Sequence, residues 1–299
     1  MLLDLVLGDP AFRWHPVRLM GSVIAWVEMR WRTKVSGVLL ALGLPLGSAA
    51  IGWALLRFAG GFGAEARWWT SALLIYFCVA CRDMLAHAGA VLLALRRDDL
   101  ETARLKVAMI VGRDAAQLDR QGILRACVES VAESACDGLV APLFFAYLGG
   151  APLALAYKAL STLDSMIGHK NERFALFGWA SARGDDLANL IPARITAALA
   201  SMLAPLAGGN ARAGLLCAWR DAPGQPSPNS GWPEGAFAGA LGVRLGGPVL
   251  YGGIPSEKNF LGTSLRPLSL TVGVQACVLF LWVGLATVVL GEGILLALG

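Results

Sequence analysis

The chain has 299 residues, 56% of them hydrophobic and 15% charged, with a mean hydropathy of +0.60. Soluble domains carry about 25% charged residues, so the composition excludes a soluble globular enzyme and points to an integral membrane protein. The net charge of +4 is dispersed, with no basic stripe to grip nucleic acid, and the long apolar runs lack the alternation of barrel strands.

Residues 1–18 read as an ordered loop, because Asp9-Pro10 and His15-Pro16 break helices. Leu2 to Leu7 is too short for a signal-peptide core and lacks a basic lead. Residues 19–34 predict an interfacial helix ending in Arg30, Arg32 and Lys34. Residues 35–58 predict a span, since about 20 apolar residues cross a bilayer. Gly60 to Gly63 is a loop. A second span covers 68–95, entered at Trp68-Trp69 and interrupted by Arg82 and Asp83. Residues 96–126 are polar and helical in pattern. Their seven basic residues, with those at 30–34, place both segments on the cytoplasmic side and 57–67 outside. Cys78 and Cys81 lie in an apolar run without a second pair, which suits buried structural thiols.

Beyond this point a single crossing conflicts with the sequence. Gly149-Gly150-Ala151-Pro152 is a turn signal inside the apolar run. Residues 123–148 and 152–168 therefore predict two antiparallel arms of a re-entrant hairpin, each penetrating about half of the bilayer, with ordinary single crossings as the alternative. Residues 187–207 and 211–220 repeat the device around Gly208-Gly209-Asn210. The Pro- and Gly-rich stretch 221–267 predicts an ordered functional loop with a helix at 233–242. Residues 268–298 form the last span, with Gly291-Glu292-Gly293 a candidate break. The expected fold is thus all-α: a multi-pass membrane helical bundle with re-entrant or broken helices. It forms one domain over 1–299, with a polar core at 112–194.

The chemistry concentrates in that core. Glu129, Glu133 and Asp137 stand at i, i+4 and i+8, on one helical face. Like charges so placed call for a cation, and Mg²⁺ takes carboxylates together with a substrate's phosphates. The alternative is a solvated acidic face. Asp164, Asp185 and Asp186 are further candidate ligands. Lys158, Lys170, Arg173, Arg183 and Arg194 offer positive charge for phosphate or carboxylate oxygens. The run Ser227 to Glu234 (SPNSGWPE) is stiffened by prolines and leads into a helix start whose amides suit an anion. Asn229, Ser230 and Glu234 are its candidate contacts. Neither a Walker loop nor a dinucleotide fingerprint occurs.

These blocks carry a resemblance. LGDP, HPVRLMG, VGRD, ESVAE, YKALSTLDSMIGHKNER, FGWASAR, IPAR, SPNSGWPE, GALGVRLGG and YGG together resemble the adenosylcobinamide-phosphate synthase family of cobalamin biosynthesis, over most of the chain. The resemblance implies an ATP-dependent amide ligase of the bacterial inner membrane, with its site facing the cytoplasm. It would join the propionate carboxyl of adenosylcobyric acid to (R)-1-amino-2-propanol O-2-phosphate. ATP is the implied co-substrate and Mg²⁺ the implied ion. Glu129, Glu133, Asp137, Lys158 and Asp164 form the expected catalytic set. Arg113 and Asn171 join Lys170, Arg173, Arg183, Asn229, Ser230 and Glu234 as substrate contacts. The bilayer and other late cobalamin-pathway enzymes are the candidate partners. A non-catalytic corrinoid-binding protein or transporter is the alternative, against which stands the lack of an inverted repeat. The chain departs from the family pattern at Ser134 (usually Asn), His169 (commonly Tyr), Gly224-Gln225 (usually basic or His) and Asn259 (usually Pro). Family members also usually carry a longer apolar segment before the GDP block.

Overall fold

The computed structural model describes residues 1–8, 12, 14–169, 172–251 and 253–298. The helices are α1 (Leu2–Leu7), α2 (Pro16–Arg30), α3 (Lys34–Gly60), α4 (Ala64–Tyr76), α5 (Cys81–Arg96), α6 (Leu100–Val107), α7 (Arg120–Ser134), α8 (Ala141–Ile167), α9 (Trp179–Ala188), α10 (Leu190–Leu203), α11 (Ala211–Asp221), α12 (Gly231–Leu241) and α13 (Leu270–Leu298). Two short antiparallel pairs interrupt them: β1 (Leu245–Gly246) with β4 (Phe260–Leu261), and β2 (Val249–Tyr251) with β3 (Ile254–Ser256). Five helical stretches are long and apolar enough to cross a membrane: Lys34–Gly60, Ala64–Arg96, Arg120–Ile167, Leu190–Ala207 and Leu270–Ala297. The protein is an all-α multi-pass membrane protein.

The described residues fall into two compact units. The first holds Met1–Ala80, Asp137–Asn189 and Val288–Gly299; the second holds Cys81–Cys136 and Leu190–Thr287. In the first, α3 runs beside the return arm of α8. A small residue sets that approach, since a Cβ on Gly52 would come 2.8 Å from Leu155 Cδ1; likewise a Cβ on Gly37 would strike the carbonyl of Phe177, in the segment between α8 and α9. Ile24, Leu40, Leu163, Ile167 and Phe177 form one core cluster; Met20, Leu74, Cys78, Leu155 and nearby alanines form another.

The hairpin is present. Gly149 and Gly150 are non-helical, at φ −148°, ψ 22° and φ 68°, ψ −166°. Phe145 and Tyr157 would stand about 18 Å apart on a straight helix. Instead their rings stack with centroids 4.9 Å apart, so the arms run antiparallel. From Ala151 to Ile167 the return arm is about 25 Å long, close to the expected 152–168, and its turn reaches Arg57 and Arg67, beside the α3–α4 loop. The Gly150 conformation is essentially open to glycine alone. Gly150→Ala is expected to cost about 1–3 kcal/mol, read as a lower melting temperature in detergent. Gly293→Ala, in open space within α13, is the control, and equal melting temperatures would contradict the strained turn.

Other boundaries also shift. The predicted span 68–95 is two helices, α4 and α5, with residues 77–80 non-helical. Asp83 then lies in the first turn of α5, where a carboxylate suits the helix dipole. The pattern at 96–126 resolves into α6, a loop and the start of α7. α2 begins at Pro16, a favoured first helical position. Thr33 starts α3 with a reciprocal capping box to Ser36. The hairpin around Gly208–Asn210 forms, with Asn210 Oδ1 accepting from the Ala213 amide at 2.9 Å. α13 passes unbroken through Gly291–Gly293. The cysteines at 78, 81, 127, 136 and 217 are buried and form no disulfide.

Candidate functional site

The second unit holds a charged cluster around α7. Asp119 caps this helix, its Oδ1 accepting from the Gly122 amide at 2.7 Å. Nearly three turns on, Glu129 is buried. Its Oε2 is ion-paired to Arg113, and its Oε1 accepts from the Gly246 amide at 2.6 Å. Arg125 Nη1 donates to the Gly246 carbonyl at 3.2 Å. β1 is therefore pinned to α7 through the amide and the carbonyl of Gly246. Arg113 Nε is buried and makes no hydrogen bond, so this guanidinium has a donor left unsatisfied beside Glu129. Glu133 lies one turn beyond Glu129 and is exposed. The spacing of Glu129 and Glu133 is α-helical as predicted, whereas Asp137 falls in a π-helical turn, Ala135–Val140.

Glu234, in the first turn of α12, is buried within electrostatic reach of Glu129 and Glu133. Burial above all, then those two carboxylates, pushes its pKa up to about 8, against the pull of Lys258 and Arg113. Lys258 is the counter-charge. Burial alone would lower its pKa, but Glu234, Glu133, Tyr251 and Glu129 raise it overall. A raised Glu pKa means the folded state binds more protons between the ordinary value of 4.5 and about 8. Stability from this group is therefore complete below 4.5 and is lost as pH climbs through about 8. Glu234→Gln is expected to flatten that decline in detergent melts from pH 5 to 8. An unchanged slope would contradict the assignment.

The Pro-rich run is ordered around this cluster. Ser227 Oγ accepts from the Asn229 and Ser230 amides at 3.2 and 3.4 Å. Arg194 lies 4.7 Å over the Trp232 ring, and its Nη1 donates to Asn229 Oδ1 at 3.4 Å. The Asp114 amide donates to the Leu250 carbonyl at 2.8 Å, and its Oδ2 accepts from the Gly253 amide at 2.7 Å. Gln225 Nε2 donates to the Asn259 carbonyl at 2.7 Å, and Asn259 Nδ2 donates to the Gly224 carbonyl at 2.6 Å, which ties the start of the Pro-rich run to the 259 loop.

The first unit holds a second cluster, of carboxylates. Burial, then the charges of Asp137 and Asp164, raise the Asp185 pKa well above its ordinary value, with a smaller push from Asp186. Asn189 holds Asp185 in place: its Nδ2 donates to Asp185 Oδ2 at 3.0 Å, while its Oδ1 accepts from Tyr157 at 3.0 Å. The hairpin is what brings Asp137 and Asp164 to one neighbour. Asp186 lies 3.7 Å from Arg183. Among the described residues no group of three or more His, Cys, Asp or Glu is placed to hold a metal ion.

The remaining predicted residues scatter. Lys170 and Asn171 lie outside the described residues. Arg173 is committed to Glu28, with Nη2 at 2.6 Å and Nε at 2.9 Å from Oε1. Arg183 is exposed, and Lys158 lies within electrostatic reach of Cys78. Glu133 belongs to the second unit and Asp164 to the first. Sequence reasoning missed Lys258, although it is the one lysine between 221 and 267.

The family model described as CobD/Cbib protein matches residues 1–280. Cobalamin biosynthesis protein CobD of Geobacter metallireducens is 48% identical over 279 residues, 91% of this chain and 87% of the relative. Its counterpart in Pelobacter propionicus is 46% identical over 273 residues, 90% and 84% of the two chains. Cobalamin biosynthesis protein CbiB of Salmonella typhimurium is 38% identical over 290 residues, 94% and 91%. No solved structure matches the chain. With a family match along nearly its whole length, and relatives this similar across most of both sequences, the chain belongs to the CobD/CbiB family.

Proposed function

We propose that this protein is an enzyme of cobalamin biosynthesis, the ATP-dependent ligase that joins the propionate carboxyl of adenosylcobyric acid to (R)-1-amino-2-propanol O-2-phosphate. The observation that carries this reading is the mixed-charge cluster of the second unit. Buried Glu234, half-buried Lys258, exposed Glu133 and the Arg113–Glu129 pair suit a reaction that handles an amine and several anions. The relatives' names place them in cobalamin biosynthesis, which implies corrinoid substrates and a membrane setting. By the positive-inside rule, Arg30, Arg32 and Lys34 support a cytoplasmic assignment for the neighbouring face of the bacterial inner membrane.

A carboxylate does not acylate an amine unaided. Attack of its oxygen on the ATP γ-phosphate forms an acyl phosphate and releases ADP. The amine then displaces phosphate. The residues have little covalent work to do beyond positioning and neutralising charge. Lys258 and the unsatisfied Arg113 Nε are the donors for phosphate oxygens. The amine loses a proton as the C–N bond forms, and Glu234 is placed to take it, because a base works best with a pKa near the working pH. In the first unit, Asp137, Asp164 and Asp185 are the carboxylates suited to Mg²⁺, and in the second unit Glu133 is. The like-charge crowding at Asp185 fits such a donor set, and Mg²⁺ needs only one or two carboxylates when phosphates complete its shell. When bound, the ion supplies charge neutralisation at those phosphates. Purified protein given both substrates, ATP and Mg²⁺ is expected to form the amide and ADP. A protein that binds the corrinoid but forms neither is the non-catalytic alternative.

A further inference from the structure

The turn of the α8 hairpin forms one wall of a cleft of about 480 Å³ in the first unit. Its other walls include Trp53 and Arg57, near the end of α3, and Arg67 and Trp68, at the start of α4. It lies at the turn end of the hairpin, whereas Asp137 and Asp164 lie at the opposite end of its arms. Two apolar helical stretches end here, at Gly60 and Ala64. Tryptophans at such ends mark the membrane–water interface, and Trp53 and Trp68 are 60% and 62% exposed. Arg57 sits 5.6 Å over the Trp53 ring. Neither Arg57 nor Arg67 has an ion-pair partner among the described residues.

Two unpaired guanidiniums in one concave site call for an anion, and phosphate matches their fork of donors. Apart from Ser71, the rest of the lining is apolar: Leu56, the tryptophans and the turn at Ala151-Pro152. A small soluble anion would leave that surface bare. An anionic phospholipid covers both parts, with its phosphate between the arginines and an acyl chain along the apolar wall. The cleft also falls in the 300–1,000 Å³ range of small-molecule sites. We infer that this cleft is a binding site for an anionic phospholipid at the membrane face remote from the carboxylate cluster. The lipid would brace the hairpin turn from outside, independently of the catalytic reading.

Native mass spectrometry of the full chain in detergent tests this, with phosphatidylglycerol and phosphatidylcholine as probes. Phosphatidylglycerol is expected to be retained in preference. The double variant R57Q/R67Q should weaken that preference about tenfold, while R212Q, which removes an exposed arginine elsewhere, should leave it intact. If the double variant does not stay monodisperse, R57Q and R67Q singly should each show a partial loss. Equal retention of the two lipids, or unchanged preference in the arginine variants, overturns the inference. So does displacement by inorganic phosphate at the lipid's own concentration, which would mark a site for a soluble anion.

Discussion

Glu133→Gln is expected to lower amide formation at least about tenfold, a loss of roughly 1.4 kcal/mol of transition-state stabilisation, with the protein still extractable and folded. The reason lies in its surroundings. Glu129 is satisfied by Arg113 and the Gly246 amide. Glu234 is buried and held toward its protonated form. Glu133 is exposed and is the carboxylate of this cluster most available to an ion or a substrate. Glutamine keeps its shape and removes its charge, so the loss should fall on kcat and on the Mg²⁺ requirement rather than on melting temperature. Near wild-type turnover at saturating Mg²⁺ would remove Glu133 from the metal-binding role.

Arg113→Met is expected to destabilise the protein by about 3–5 kcal/mol, the range for removing one partner of a buried ion pair. Both side chains are only 8% exposed. Without the guanidinium, the Glu129 carboxylate keeps one amide donor and loses its counter-charge. The double variant R113M/E129L should recover much of the loss, because apolar replacement of a whole buried pair is often tolerated. A double-mutant cycle in detergent melts measures the coupling. Additive single effects would show that the pair does not hold the 112–114 loop to α7.

The parts of the fold set by local chemistry were legible. Gly149-Gly150-Ala151-Pro152 announced its turn, and Gly208-Gly209-Asn210 did the same, because positive φ and helix caps leave a residue signature. The break at 77–80 was not, since Phe77-Cys78-Val79-Ala80 contains no glycine or proline. The only hint was Arg82-Asp83 just beyond it, at the start of α5. The return arm, read as 152–168, runs to Ile167 and carries Lys158 and Asp164 inside a helix that packs against α3. At the site, the carboxylate spacing on α7 could be read from the sequence. Lys258 could not, because it reaches Glu234 and Glu133 through the loop rather than along a helix. Arg173 looked free in the sequence only because Glu28, its partner, lies 145 residues away.

Oxygen-18 in the propionate carboxyl of adenosylcobyric acid tests the ligase reading most directly. One carboxyl oxygen must leave when the amine displaces the activating group. If ATP activates the carboxyl as an acyl phosphate, each amide formed delivers one labelled oxygen into inorganic phosphate, with ADP as the other product. Label recovered in AMP would contradict phosphoryl activation. Amide formation with no label in phosphate would contradict it equally, and binding of the labelled corrinoid without any product would contradict the ligase reading itself.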